Sequence, residues 1–279
     1  MSALEKIDRA RENFTFQEAR IYQLLQKDTQ RFVLSPIGDI AQQLQISKTT
    51  LMRFAKGCGF TGYAELRKQL QRELFLVNSP AHKMQEIITQ DYSLSPDDLA
   101  LHDQANIKET YENFNKNDLQ KAVQLIGGAK EIHTLSWGIS GHLAEMFTIR
   151  TRLLGIRCSM IKRHLGILLE ETAHLHQDDV VILFEFPPYS KEILETVESL
   201  KKRGVHIILV TDSNNCPAIS YAEVSFFCIT DTLFFGNSFV APLFWVNLIT
   251  SLVMDTNREY ALAALKRQQD IFNKKRYYQ

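Results

Sequence analysis

Between Ile40 and Ala64 the chain carries three cations, Lys48, Arg53 and Lys56, and no acid. With Ser47, Thr49 and Thr50 beside them, these side chains suit contact with a polyanion. A guanidinium can grip a guanine edge or a phosphate, lysines hold phosphates, and threonines donate, accept and touch a thymine methyl. A second set lies in two short stretches, Ser136-Trp137-Gly138-Ile139-Ser140 and Glu185-Phe186-Pro187-Pro188-Tyr189-Ser190-Lys191. Gly138 lets the backbone turn tightly, and Ser140 stands where the free N–H groups of a helix start can hold an anion. Ser190 and Lys191 offer further anion contacts, while Phe186 and Tyr189 offer flat surfaces for a sugar ring. Glu185, aimed inward, would repel a dianion, and the two prolines supply no N–H. The plainer readings are a solvated basic helix face, a serine-capped strand-to-helix turn, and a Glu185 that points outward or caps the next helix.

Other reactive patterns are weak. His174-x-His176 has strand spacing, adjoins Asp178-Asp179 and lacks a third ligand, so it reads as solvated loop. Ser140 could be paired with any of the eight histidines, but no nucleophile elbow surrounds it. Moving a proton between neighbouring sugar carbons needs a placed acid or base. Glu185, Glu170, Glu171 and His164 are available, and no spacing singles out a pair. No catalytic residue, metal ligand or cofactor is assigned. The basic run Lys266-Arg267 and Lys274-Lys275-Arg276 reads as a solvated face.

The elements that must position these groups follow from spacing. Ser35 and Pro36 open a helix with Ile37, Ile40, Ala41 and Leu44 on one face, Gln45-Ile46 makes a turn, and Ser47 caps a second helix. Leu51, Phe54 and Ala55 face inward there and Gly59 ends it, leaving Lys48, Thr49, Thr50, Met52, Arg53 and Lys56 outward. That is a helix-turn-helix whose second helix is shaped for a DNA groove. Before it, Leu4 and Ile7 mark one helix, and Thr15 with Glu18 forms a capping box for another that ends near Lys27-Asp28. After it, Thr61 caps a helix through Tyr63, Leu66, Leu70 and Leu74. Residues 1–76 thus read as an all-α bundle of about five helices, and residues 77–105, rich in turn and cap types, as a linker. From residue 106 short apolar runs alternate with helices. Glu131 to Ser136, Arg157 to Ile161, Asp179 to Phe184, Val205 to Asp212 and Val224 to Ile229 predict about five parallel strands. Ligands in such sheets sit where strand C-termini meet helix N-termini, which is where both candidate loops fall.

The chain of 279 residues holds 32 Lys and Arg against 32 Asp and Glu. Residues 1–76 carry a net +4 and the remainder −4, a basic head on an acidic body. Four cysteines without a C-x-x-C pair argue against a zinc site or disulfide framework and predict a reducing, cytoplasmic setting. The charged N-terminus is unlike a signal peptide, and Phe239 to Met254, broken by Pro242 and Asn247, is too short for a bilayer and reads as a buried helix.

Taken together, Asp39-Ile40-Ala41, Ile46 to Phe54 and Gly59-Phe60-Thr61-Gly62-Tyr63 resemble the RpiR (MurR/RpiR) family of bacterial transcription regulators. The resemblance extends to residues 106–279, which look like that family's sugar isomerase (SIS) domain. Gly138 and Ser140 match its first loop, Ser136 stands where glycine is usual, and the second loop keeps a hydroxyl only at Ser190. What the resemblance implies is a homodimer or higher oligomer that binds a palindromic operator in double-stranded DNA and regulates sugar or amino-sugar genes. A carbohydrate-derived effector, with or without phosphate, would control it from the SIS domain. The altered second loop predicts a sugar or sugar acid, with any phosphate held less well. The rivals are a sugar-phosphate isomerase with a helical appendage and a regulator whose SIS domain only dimerises.

Overall fold

The computed structural model describes residues 2–27, 29–35, 37–77, 84–85, 88–89, 95–163, 166–233 and 236–275. The chain forms two compact units, one of residues 1–93 with 234–236 and one of 94–233 with 237–279.

The first unit is helical. Ala3–Ala10 (α1) is capped by Ser2, whose hydroxyl and Glu5 satisfy each other's backbone N–H. Phe16–Lys27 (α2) starts the same way, the Thr15 N–H donating to Glu18 at 2.9 Å and the Glu18 N–H to the Thr15 hydroxyl at 3.4 Å. Thr29–Leu34 (α3) is a short helix that the charge pattern did not announce, and it exists to bury Phe32 and Val33. Ile37–Leu44 (α4) buries Ile40, Ala41 and Leu44, as its stripe predicts, while Pro36 lies outside the described residues. Gln45 turns the corner in the left-handed region, at φ 53°. Lys48–Gly57 (α5) and Tyr63–Val77 (α6) bring the α-helices among the described residues of 1–77 to six, against about five expected. Leu51, Phe54, Leu25, Ile21 and Leu66 meet in one core, each fully buried. Each contributes roughly 1.5 to 3 kcal/mol by leaving water.

The second unit begins with Pro96–Glu112 (α7), which starts inside the segment read as linker; Ser95 caps it through the Asp97 N–H at 3.2 Å. Lys116–Gly128 (α8) leads into Glu131–Ser136 (β1), then Gly141–Leu153 (α9), Cys158–Met160 (β2), the four-residue Leu168–Glu171 (α10) and Asp179–Phe184 (β3). Lys191–Lys202 (α11), His206–Thr211 (β4), Val224–Phe227 (β5), Val240–Thr256 (α12) and Arg258–Lys275 (α13) follow. The sheet order is β2-β1-β3-β4-β5 and all pairings are parallel, with β2 and β5 shorter than their apolar runs. Strand alternation divides the core. Ile132, Val180, Ile182 and Phe184 pack with Phe147 and Trp245 of α9 and α12. Leu135, Val181, Leu183 and Leu209 pack with Ile193, Val197 and Leu200 of α11. Trp245 anchors the first side, stacked at 22° and 6.0 Å on Phe147 and meeting Phe184 edge-on at 5.8 Å. Among the described residues no helix is long and apolar enough to cross a membrane.

Candidate nucleic-acid interface and effector corner

The reading helix is built from its cap outward. The Ser47 hydroxyl accepts the Thr50 N–H at 3.1 Å, so the first turn of α5 is closed before any partner arrives. At the far end the Phe60 N–H reaches Ala55 O and the Gly59 N–H reaches Lys56 O, both at 3.0 Å, with Gly59 at φ 85° and Phe60 buried. That pair of bonds is a Schellman stop. Between them Thr50, Leu51, Phe54 and Ala55 face the core. Lys48, Thr49, Met52, Arg53 and Lys56 are exposed.

Thr50 corrects the expected outward set. It is 6% exposed, and its hydroxyl lies 2.9 Å from that of Ser47. It sits one turn before Phe54, on the buried stripe, and it is tolerated there because its polar atom is satisfied within the cap. Of the expected base-contacting threonines and arginine, Thr49 and Arg53 remain on the outer face, beside Met52, which is 48% exposed. Thr49, Met52, Arg53 and Lys56 recur at helical spacing on one face. Lys48, Arg53 and Lys56 are in no ion pair among the described residues. The Lys48 stem lies over Gly38, its Cε 3.5 Å from where a Cβ on that glycine would stand.

In the second unit the two candidate loops are neighbours, since Ser136 at the end of β1 pairs with Phe184 at the end of β3. In the first loop, Gly138 adopts φ 62°. Ser140 is buried and donates to Trp137 O at 2.7 Å, with Phe184 O at 3.3 Å, so it laces the loop to β3 rather than presenting a free hydroxyl. Ser136 differs: its Oγ is buried and has no hydrogen-bond partner among the described residues. It lies 3.7 Å from the place of a Cβ on Gly141, at the entrance of α9.

The second loop departs from expectation. Glu185 is 3% exposed and lies beneath the loop, where its Oε1 accepts the Ser190 N–H at 2.6 Å. Burial pushes its carboxyl up to about 8, against the opposing pull of that hydrogen bond. Its position continues the alternation of Val181 and Leu183, which carries it toward the α11 side of the sheet. Phe186 is also buried, 5.4 Å from the Phe239 ring, so it offers no open face for stacking. Tyr189 donates from its hydroxyl to Asp212 at 2.6 Å, and burial raises its pKa. Ser190 caps α11 through the Ile193 N–H at 3.4 Å. Lys191 points to solvent, 89% exposed, across from Glu195 at 3.7 Å. Asp212, just past the end of β4, is a loop residue that no local spacing singles out. It gathers the Thr211 hydroxyl at 3.1 Å and that of Ser213 at 3.4 Å. Trp137 and Ile139, also unforeseen as contacts, stand 44% and 69% exposed on either side of Gly138.

His174 and His176 are exposed and lie in the loop between α10 and β3, as their spacing predicts. His176 Nδ1 lies 2.9 Å from Asp179, and the His174 ring stands 5.8 Å from the buried His133. Burial, the largest influence, lowers the His133 pKa. No group of three His, Cys, Asp or Glu among the described residues is placed to hold a metal. The four cysteines are buried and unpaired; burial pushes Cys58 and Cys158 up to about 11 and Cys216 up to about 12.

Residues 1–75 match the helix-turn-helix domain of the rpiR family, and residues 125–252 match the SIS domain. A relative described as an uncharacterized HTH-type transcriptional regulator of Haemophilus influenzae is 25% identical over 225 residues, 80% of this chain and 78% of the relative. Another so described, from Clostridium perfringens, is 19% identical over 276 residues, 96% of each chain. In fold, the second unit is similar to the sugar isomerase domain of an RpiR transcription factor from Sphaerobacter thermophilus. There the TM-score is 0.60 at 24% identity, over 63% of this chain and 98% of the other. The Vibrio vulnificus NanR protein, solved in complex with ManNAc-6P, aligns with a TM-score of 0.69 at 17% identity, over 96% of this chain and 97% of that one. With an rpiR-type helix-turn-helix joined to a SIS domain, and HTH-type regulators as relatives over most of its length, the chain belongs to the RpiR family of transcriptional regulators.

Proposed function

We propose that the protein is a sequence-specific DNA-binding regulator of sugar or amino-sugar metabolism genes that acts as a homodimer under a carbohydrate-derived effector. The observation that carries the DNA reading is the outer face of α5, where Thr49, Met52, Arg53 and Lys56 stand exposed without an acid among them. Thr49 and Arg53 read base edges, Met52 meets thymine methyls, and Lys48 and Lys56 hold phosphates. One such helix reads only a few base pairs, so specificity requires two half-sites roughly 34 Å apart, supplied by two copies on a palindrome. Footprinting across the neighbouring operon should reveal that palindrome; equal, steeply salt-weakened binding to any duplex would overturn the reading.

The effector is assigned to the corner between Ser136–Ser140 and the loop 185–190. Support comes from the adjacency of the two loops at the C-terminal ends of β1 and β3 and from the unpartnered Ser136 hydroxyl. NanR, of similar fold, was solved with a phosphosugar. An effector acts by favouring one arrangement of the two heads over another, because equal affinity for both would shift nothing. No catalytic step is assigned, and turnover of phosphosugars by the purified protein in a coupled assay would overturn that.

A further inference from the structure

Of the twenty large apolar side chains that stand exposed among the described residues, eleven lie on three helices of the second unit, three on α9, three on α12 and five on α13. Exposed apolar residues scattered singly need no explanation, whereas a field of them marks a surface that something covers. The three helices pack on one another. Arg150 Nε of α9 donates to the Thr250 hydroxyl of α12 at 3.0 Å, and the Tyr260 hydroxyl of α13 donates to Gly155 O, just past α9, also at 3.0 Å. From Val240 to Met254 α12 has no charged residue, the composition of a helix enclosed on every side. Yet Leu243, Asn247, Ser251 and Met254 recur along a face left open.

The outer stripe of α9 says what the cover is. His142, Met146, Ile149 and Leu153 stand exposed at alternating spacings of four and three, the pattern of a helix seam. Glu145 and Arg152, also exposed, flank that seam on one side, one heptad apart. Within one chain they do not pair with each other: Glu145 faces Lys162 at 3.8 Å, and Arg152 donates its Nε to Cys158 O at 2.5 Å. Laid antiparallel on its own copy about a two-fold axis, the seam sets Met146 of each copy against Ile149 of the other, and His142 against Leu153. The same operation brings Glu145 of each copy opposite Arg152 of the other, so the stripe is complementary to itself in charge as well as in apolar character.

We propose that the outer face of α9 and α12 is the surface through which two copies of this chain join, α9 lying antiparallel on its twin with α12 beside it. The inference rests on the homodimer reading above and gives it a place. A face that pairs with itself closes at two copies, which is the number of heads a palindrome takes.

The test is sedimentation velocity on the full chain over a range of concentrations, with circular dichroism as the check on folding. The parent should be a dimer, and Ile149→Asp should raise its dissociation constant at least about a hundredfold. Glu145→Arg and Arg152→Glu each set like charges across the axis and should each weaken the dimer about tenfold. The double variant restores opposite charges between copies but neither bond within the chain, so recovery of the dimer in it is specific to the proposed pairing. Should Ile149→Asp fail to fold, the charge variants carry the test alone. A dimer that ignores these substitutions, or a double variant no tighter than the singles, overturns the inference and leaves the homodimer standing. A parent that stays monomeric both free and on operator DNA overturns the homodimer reading and the inference with it.

Discussion

Arg53 and Lys56 stand three residues apart on α5 and carry the same charge, yet they are assigned different tasks, and a mutation pair separates them. Arg53→Ala should cost about 1 to 3 kcal/mol on the operator and relax preference at one base pair. Lys56→Ala should weaken all duplexes alike and reduce the salt dependence of binding by about one phosphate contact. Quantitative gel shifts on operator and scrambled DNA at several salt concentrations read both; equal losses on every sequence for Arg53→Ala would exchange the roles. Glu185 makes a separate prediction. Its carboxyl is held above its ordinary value of 4.5, at about 8, because burial disfavours the charged form. The folded state therefore binds that proton more tightly than the unfolded chain does. Stability is full below 4.5 and is lost as pH climbs toward 8, by an amount on the order of a few kcal/mol. Glu185→Gln keeps an acceptor for the Ser190 N–H and should flatten the denaturation profile across that window. A parallel decline in the variant would remove Glu185 as its source.

At the scale of elements, α5 depends on its two ends. Ser47→Ala removes the cap and should cost about 1 kcal/mol. Gly59→Ala should cost about 1 to 2 kcal/mol, and for a purely conformational reason. A Cβ at Gly59 would touch nothing within 4 Å, but the backbone there is left-handed at φ 85°. Urea denaturation of both variants checks these values. The sequence disclosed most of these elements because caps and stripes are local: Thr15 with Glu18, Ser47, Gly59 and the buried runs of β3 and β4 all lie where their spacing puts them. Thr50 is legible in principle, since it lies one turn before Phe54 on the buried stripe, but its hydroxyl makes it look like an outward residue. Glu185 likewise extends the alternation of Val181 and Leu183 by one step beyond the strand. α3 escaped because six residues with two core side chains make too short a pattern to show a period. The Tyr189–Asp212 bond and the fate of Phe186 join segments far apart in the chain, and nothing in local spacing encodes such encounters.

For the whole molecule, the basic head and the acidic body correspond to two units with different sources of order. The head is all helix and packs both along the chain, α4 on α5 and α5 on α6, and across it, α1 on α6 and α2 on α5, while every strand pair in the body is parallel and needs a crossover. The central one, β1 with β3, sets Glu131 against Asp179 and cannot form until β2 and the segment after it have been made. Contacts between distant residues slow folding because a long loop must close before it is rewarded. In refolding from denaturant, Trp137 and Trp245 lie in the body, so tryptophan emission should lag the far-UV helix signal; coincident traces would refute the lag. The same topology sets an order in time during synthesis. Chain leaves the ribosome at about 5 to 20 residues per second, so residues 1–77 are free to fold several seconds before β3 emerges to complete the centre of the sheet. In that interval a newborn head exists without its body, so under the proposed reading, in which one site takes two heads, a solitary nascent head should hold DNA only weakly.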